Sequence, residues 1–434
     1  MRPLPSTLPG LAAAENSSLT LRRIRLCLMF FFLMTESALA DLAMQHMSHQ
    51  RHNIPGGRAA LLGGAYTAIS SDPSGLVYNP AGLTFSQTEV SVNTWIQDDT
   101  NFVFKGAING EDFHESSKTR YASFVGGVLK KNIISLGYAA TTLDNRDLNQ
   151  NDNFSGISDQ PGMTSEFKRI HQESNLLDLL GGGIAFKIGP SFSIGSSVFY
   201  YTRTIESMDY QLVKNNGGSG NIIESKYKVD NTGIMYLTGI ILKTGTLSAG
   251  ISYRGSSVQK NSTGMVGEIV SFKNAENPTF QSVVTSDNHI YDEYVPPTWQ
   301  IGMAFIPNPY FLISGDLLYH EGKSMNGQSP DRENTFNYSL GIEGGFTNFR
   351  LLIGAFSNNS MFPKLKNGLV NQSPHIDYSG FSGGVSFGTK NQEALIGAVM
   401  QTGEGRAQII INSPDTQKVE SKTIIYLGSV RFRL

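Results

Sequence analysis

From Gln87 onward, apolar and polar residues alternate with a period of two. Phe336, Tyr338, Leu340, Ile342 and Phe346 alternate with Asn337, Ser339, Gly341, Glu343 and Gly345, and Trp299, Ile301, Met303 and Phe305 alternate with Thr298, Gln300, Gly302 and Ala304. The same holds for Leu247, Ala249, Ile251 and Tyr253 against Ser248, Gly250, Ser252 and Arg254. One apolar and one polar face is the pattern of a half-buried strand. Fourteen such strands are predicted, near 87–104, 119–130, 132–143, 174–188, 191–204, 225–243, 246–260, 291–306, 310–320, 335–347, 349–358, 377–390, 392–404 and 418–433. Their links alternate strictly in length. Tight turns fall at Lys130-Lys131, Gly189-Pro190, Thr244-Gly245, Pro307-Asn308-Pro309, Thr347-Asn348 and Lys390-Asn391. Between them lie polar stretches read as long loops: 105–118, 144–173, 205–224, 261–290, 321–334, 359–376 and 405–417. A soluble sandwich has no reason to segregate loop length, whereas a transmembrane barrel has short turns on one side and long loops on the other. An even strand number lets the sheet close, which removes edges that hydrocarbon cannot satisfy. The fold predicted is all-β, a transmembrane antiparallel β-barrel of about fourteen strands spanning 87–434.

The last strand fits this reading. Ile424, Tyr426, Val430, Phe432 and Leu434 share one face, with Arg431 and Arg433 on the other. The alternating aromatic terminus resembles the signal read by the barrel assembly machinery, a partner during biogenesis, although the final residue is Leu where Phe is usual.

The other end of the chain carries an export signal. Arg22, Arg23 and Arg25 precede the apolar run Leu26 to Met34 and the small-residue site Ser37-Ala38-Leu39-Ala40, so 1–40 reads as a signal peptide cut after Ala40. Its removal takes away the sole cysteine, Cys27, and leaves 30 basic against 34 acidic residues. Disulfide and thiol chemistry are thereby excluded from the mature chain. No later apolar run is long enough for a spanning helix, and no basic stripe recurs that would suit nucleic acid.

Between leader and strands lies a glycine-rich stretch, 41–86, whose centre is GGRAALLGGAYTAISSDPSGLVYNPAGL from Gly56 to Leu83. A short helix is predicted over Arg58 to Ile69, stopped by Asp72-Pro73, with a second stop at Asn79-Pro80-Ala81-Gly82. The stretch GGAYTAISSDPSGLVYNPAGLTF resembles the N-terminal hatch of the FadL/TodX family of outer-membrane transporters for long-chain fatty acids and hydrocarbons. Val295 to Tyr319, VPPTWQIGMAFIPNPYFLISGDLLY, resembles a second family pattern in the expected order. The resemblance implies a small-residue plug inside the lumen, with Gly63, Gly64, Asp72, Asn79, Pro80, Ala81 and Gly82 as gating residues. It also implies a kinked third strand opening a side window opposite Asn79; Gly137 is the candidate bend.

The remaining candidates come from the pattern. Asp316, His320 and Ser314 share a face, and Arg254, Glu343, Arg431 and Arg433 join them as lumen groups, because charge facing lipid costs about 2–4 kcal/mol at the midplane. An acid and an imidazole four apart suit catalysis in principle; a hydrogen-bonded network is the expectation. Any of the arginines could pair a carboxylate ligand. Glu166 to Leu180 reads as a short helix leading into strand four, with Leu176, Leu177, Leu179 and Leu180 as a capture patch at the outer rim or simple packing under a loop. His46, His49 and His52 lack the acid or cysteine a metal set would need and read as a mobile tail.

Together these predict a monomeric, cofactor-free, non-enzymatic bacterial outer-membrane protein. Its partners would be outer-membrane lipid and a hydrophobic small-molecule ligand, taken up passively past a hatch and released laterally. The alternative is a structural or secretion-associated barrel that binds proteins or lipoproteins.

Overall fold

A computed structural model describes residues 54–108, 110–155, 164–216, 219–272, 281–287, 295–324, 331–370, 372–410 and 414–434. The proposed leader and the three histidines of the tail lie outside the described residues. Strands β1 (Glu89–Ile108), β2 (Glu111–Lys131), β3 (Ile134–Ser155), β4 (Thr164–Ile188), β5 (Phe192–Asn215), β6 (Gly220–Thr244) and β7 (Leu247–Phe272) form one half of the wall. The other half is β9 (Thr298–Asn308), β10 (Phe311–His320), β11 (Thr335–Phe346), β12 (Phe349–Asn358), β13 (His375–Gly388), β14 (Gln392–Ala407) and β15 (Gln417–Arg433). Each pairs antiparallel with its sequence neighbour, β7 pairs with β9, and β1 pairs with β15, so the fourteen strands close. A further short strand, β8 (Gln281–Asp287), pairs only with the far end of β7, beyond the ring.

The alternation places its apolar face outward. Leu136, Tyr138, Val198, Ile301, Met303, Leu340, Ile342, Ile396, Tyr426 and Phe432 are all exposed around the circumference. So continuous an apolar band is what a membrane-facing wall carries and what a water-soluble surface rarely shows. Inward positions are small and polar, as at Ser314, Asp316, Ser339 and Gln401.

One expectation fails on the loop side. The stretches 105–118, 144–173 and 205–224, together with the start of 261–290, are largely paired strand and not irregular loop. β1 to β7 run from 20 to 26 residues, whereas about 9–11 suffice to cross a bilayer. Past the apolar band both faces of a strand meet water or protein, so alternation fades while the ladder continues. The predicted helix at Glu166 to Leu180 is likewise part of β4, paired on both sides throughout.

The lumen is not empty. Residues 54–86 fill it as α1 (Gly57–Leu61), α2 (Gly75–Tyr78) and a 3-10 helix (Pro80–Phe85). The first helix is shorter than Arg58 to Ile69, because Gly63 and Gly64 turn the chain at φ of +64° and +80°, angles that favour glycine. Leu61, Leu62, Tyr66, Leu76 and Leu83 are fully buried against the wall. At about 1.5–3 kcal/mol for each large apolar side chain removed from water, this packing dominates the hold on the segment.

Candidate functional site

The buried segment is pinned to the wall by polar groups all along its length: Ser382, Ser248, Ser197 and Ser252 donate to its Leu61, Ala68, Leu76 and Tyr78 carbonyls, Asn93 accepts from Gly57 N–H, and charged or amide side chains add three further contacts. Asp316 on β10 accepts the backbone N–H groups of Tyr66 and Thr67, both at 2.8 Å. Arg58 meets Glu343 on β11 at 2.7 Å, and Glu343 is also held by Arg350 on β12 at 2.5 Å. The Asn79 amide donates to the carbonyls of Thr67 and Ile240, each at 3.0 Å, while its oxygen accepts from Ala81 N–H at 3.2 Å. Pro80 holds Asn79 extended, at φ −152° and ψ 99°, as the sequence predicts. Asp72 acts within the segment, accepting from the Tyr66 hydroxyl at 2.6 Å and from Ser74. Burial, and then the Asp72 carboxylate, push the Tyr66 hydroxyl well above its ordinary pKa, so it stays a donor.

These bonds are possible because the wall is stripped of side chains where the segment touches it. A methyl group at Gly239 would lie 2.2 Å from Asn79 Oδ1, and one at Gly302 would lie 2.3 Å from Asp316 Oδ1. Methyl groups at Gly195, Gly250, Gly341 and Gly354 would fall 2.5, 2.4, 2.9 and 2.2 Å from Pro80-Ala81, Thr67, Leu62 and Gly63. Gly82 plays the same part inside the segment, where a methyl would fall 2.2 Å from the Ser70 carbonyl.

Beside the segment lies a cavity of about 50 Å³, walled by Val77, Leu143, Leu179, Met235, Leu237 and Leu318, with Arg254, Gln300 and His320 at one side. That volume holds a few waters and no acyl chain. Arg254 and His320 both reach the Thr298 hydroxyl, at 2.9 Å each. Asp316 and His320 share a face as predicted but serve different partners: Asp316 holds the segment and His320 holds Thr298. Arg431 and Arg433 do not border this cavity; both reach Glu89 and Glu393 near the turn end.

The β2–β3 ladder is interrupted beside the cavity. β2 and β3 pair from Lys131↔Ile134 up to Phe124↔Thr141, and beyond that only at the single pair Ser117↔Leu148. Both ends keep the same register, so 118–123 and 142–147 part without an insertion. Bulges flank the gap, at Thr142/Asp144 against β4 and at Asn93/Thr94 and Trp95/Asp98 between β1 and β2. Its lips are held by side chains: Thr141 donates to the Ser123 carbonyl at 2.7 Å and Ser117 to the Asp147 carbonyl at 2.5 Å. Leu143, the extra residue of the β3 bulge, lines the first cavity; Asp144 to Arg146 line a second one with Asp98, Thr100, Phe102, Phe104 and Tyr378.

Three expectations about this region are corrected. Gly137 sits in unbroken register, opposite Val128 and Gly183; it is a seat for Leu76, not a bend. Asn79 faces β6 and β7 and not the gap, since its amide is taken by Ile240 and lies 3.4 Å from the Ile251 carbonyl. The four leucines do not form one patch: Leu176 and Leu180 face outward, whereas Leu177 and Leu179 are buried inside against Leu76 and Leu83. Strand period splits what a helix would have gathered.

Toward the loop side the lumen is shut by Phe102, Phe104, Phe113, Phe167, Ile376 and Ile409. Under this lid Arg169 is clamped by Glu115 and Asp209 at 2.5 Å each, and His171 lies 3.2 Å from Asp209 and 3.5 Å from Glu173. Sequence reasoning singled out none of these, nor Arg58 or Glu393. Their signal was present, since β4 places Arg169, His171, Glu173 and Asn175 on one face, but the stretch was read as loop and helix.

No family model matches the sequence, and no curated protein does. Solved structures do match. The toluene transporter TodX of P. putida aligns at a TM-score of 0.58 and 13% identity, covering 87% of this chain and 98% of that one. The Ralstonia pickettii toluene transporter TbuX aligns at 0.57 and 13%, with the same shares. A Pseudomonas aeruginosa FadL homologue aligns at 0.55 and 12%, covering 89% of this chain and 99% of that one. The architecture is therefore that of the FadL/TodX barrels, over nearly their whole length; at such identity the likeness is one of fold.

Proposed function

We propose that this chain is a bacterial outer-membrane channel for the passive uptake of hydrophobic small molecules, long-chain fatty acids or hydrocarbons. The observation that carries the reading is the pairing of a corked lumen with an interrupted ladder: residues 54–86 block the axial route, while β2 and β3 leave 118–123 and 142–147 unpaired with each other, which we read as the side exit. A cork excludes an aqueous pore; a ligand that gains about 0.8 kcal/mol per buried methylene needs none. Residues 54–86 are then the hatch, with Asn79, Asp316 and Glu343 as its latches. The cavity of about 50 Å³ is the closed form of the ligand site and widens when the hatch shifts. The gap starts eight residues above the β2–β3 turn. At about 3.3 Å per residue and a tilt near 45° that is roughly 20 Å, the outer margin of a ~25 Å apolar band. Release through it would deliver the ligand sideways into the membrane. Arg254 is the arginine placed to meet a carboxylate, since it borders the apolar cavity and Arg431 and Arg433 do not.

The test is uptake of a labelled hydrophobic probe by cells expressing the barrel, with Asn79→Ala and Pro80→Ala compared at equal assembled protein. Altered uptake with intact assembly supports a gating hatch. Uptake unchanged in both variants rejects it, and a stoichiometric protein partner with no bound lipid would favour a secretion-associated barrel instead.

A further inference from the structure

The turn end of the barrel has two electrostatic halves. On the side of β11 to β15 and β1, inward cations have acids. Arg58 and Arg350 share Glu343, and Arg431 and Arg433 share Glu89 and Glu393. On the side of β2 to β6, Lys130, Lys187 and Lys243 stand in the last turns of alternate strands, continuing the inward faces of Val128, Ala185 and Ile241. Among the described residues none of the three enters an ion pair. Two of them flank one ring instead, Lys187 and Lys243 lying 5.8 and 5.4 Å from the centroid of Phe85, and Lys130 donates to the carbonyl of the next residue, Ser86, at 3.0 Å. Lys130 is exposed and Lys187 and Lys243 are half-buried, so water, one aromatic face and one carbonyl meet these ammonium groups where the other half of the rim supplies carboxylates, and an anion has room to reach them. Of the three, Lys243 edges a cavity of about 170 Å³ whose walls are Ile69, Phe85, Ile306, Phe311 and Leu312 together with the Arg58–Glu343–Arg350 cluster, whose carboxylate is already neutralised by its two arginines. This space is larger than the one beside Arg254 and lies on the opposite side of the 54–86 segment from the lid.

We propose that the half-ring of Lys130, Lys187 and Lys243 binds the anionic head group, phosphate or carboxylate, of an acyl-chain amphiphile, with the start of the chain in the adjoining cavity. Lysine suits this role, being a compact charge with rotatable donors that tracks a small anion. Apolar walls next to clustered charge select an amphiphile over a bare ion. The proposal does not depend on transport: it stands on the closed barrel alone. The anion has two sources, an anionic phospholipid of the surrounding membrane or a free single-chain molecule.

The full-length barrel in neutral detergent is titrated with dodecyl phosphate, with inorganic phosphate and with dodecanol. Dodecyl phosphate is expected to bind, and the Lys187→Gln/Lys243→Gln variant to bind it at least about tenfold more weakly. Lys131→Gln, in the same turn as Lys130, should change nothing, and Lys187→Arg/Lys243→Arg should retain most of the affinity. A heat-modifiable gel shift confirms that each variant is folded. In nanodiscs, loss of dodecyl phosphate binding when phosphatidylglycerol is added assigns the site to membrane lipid, and unchanged binding assigns it to a free amphiphile. Equal affinity in wild type and the Gln variant, or dodecanol binding as tightly as dodecyl phosphate, overturns the proposal.

Discussion

Asp316 accepts the backbone N–H of Tyr66 at 2.8 Å, a contact between residues 250 apart in sequence that ties the wall to the segment inside it. The same carboxylate oxygen takes the Thr67 N–H at the same distance. Both amides are buried, so the bond is a latch whose loss takes the acceptor from two donors. Each such group costs about 1–3 kcal/mol. In Asp316→Ala, amide exchange at Tyr66 and Thr67 should accelerate at least about tenfold while the strands exchange as before. Unchanged protection at those two amides would show that packing and the remaining polar contacts seat the segment without Asp316.

Removing space should act as removing the latch does. Gly239→Ala places a methyl 2.2 Å from Asn79 Oδ1, so Asn79 must leave its bonds to Ile240 and Thr67. Overpacking of this kind costs about 1–3 kcal/mol, and here it falls on the contact between segment and wall. Single-channel conductance in planar bilayers should rise in Gly239→Ala. Gly383→Ala is the control, since its methyl meets a single atom at 3.8 Å. Equal conductance in both variants would contradict the close-approach argument.

Ligand class can be read from Arg254. If the cargo carries a carboxylate, its charge-assisted bond to this guanidinium contributes about 1.5–3 kcal/mol, or roughly ten- to a hundredfold in affinity. Arg254→Gln should therefore weaken fatty-acid binding by that factor and leave toluene binding within about twofold. Equal losses for both ligands would mean that Arg254 only braces Thr298.

The outer lid should be pH-sensitive. His171 lies on the part of β4 that extends past the apolar band. Burial and the nearby Arg169 lower its pKa, but the Asp209 and Glu173 carboxylates, 3.2 and 3.5 Å away, outweigh them and raise it to about 9. Stability from a raised histidine is fully present below its unfolded pKa, about 6.5, and is lost as pH climbs through 9. Protection of amides in 164–175 should fall across that window in the wild type. In His171→Gln the fall should vanish; a fall of equal size in the variant would place the titrating group elsewhere.

Much of the fold was legible because strand alternation is a direct record of a wall with two different sides. Trp299 to Phe305 and Phe336 to Phe346 gave both strand type and facing. What the alternation could not report is strand length beyond the bilayer. From Glu166 to Asn175 the outward face turns polar as well, so paired strand looks like loop. The site was half legible for a related reason. Asn79-Pro80 and Asp316 were visible as local oddities, a stop before proline and an acid on a strand. Their partners were not visible, because Ile240, Tyr66 and Thr67 contribute backbone atoms, which every residue has. The gap shared this silence: Ala122 and Leu143 look as strand-like as their neighbours, and only the missing ladder sets them apart.

The side exit is the central claim, and a tether across it tests it most directly. Thr119 and Arg146 fall opposite each other in the interrupted register, and the only native cysteine is Cys27, in the proposed leader. The double variant Thr119→Cys/Arg146→Cys, bridged with a short bifunctional thiol reagent, should lose delivery of a labelled hydrophobic probe into the bilayer of proteoliposomes. Cleaving a reducible version of the bridge should restore it. Delivery at the wild-type rate through a fully bridged barrel would mean that the ligand leaves by another route, and the lateral reading would fall.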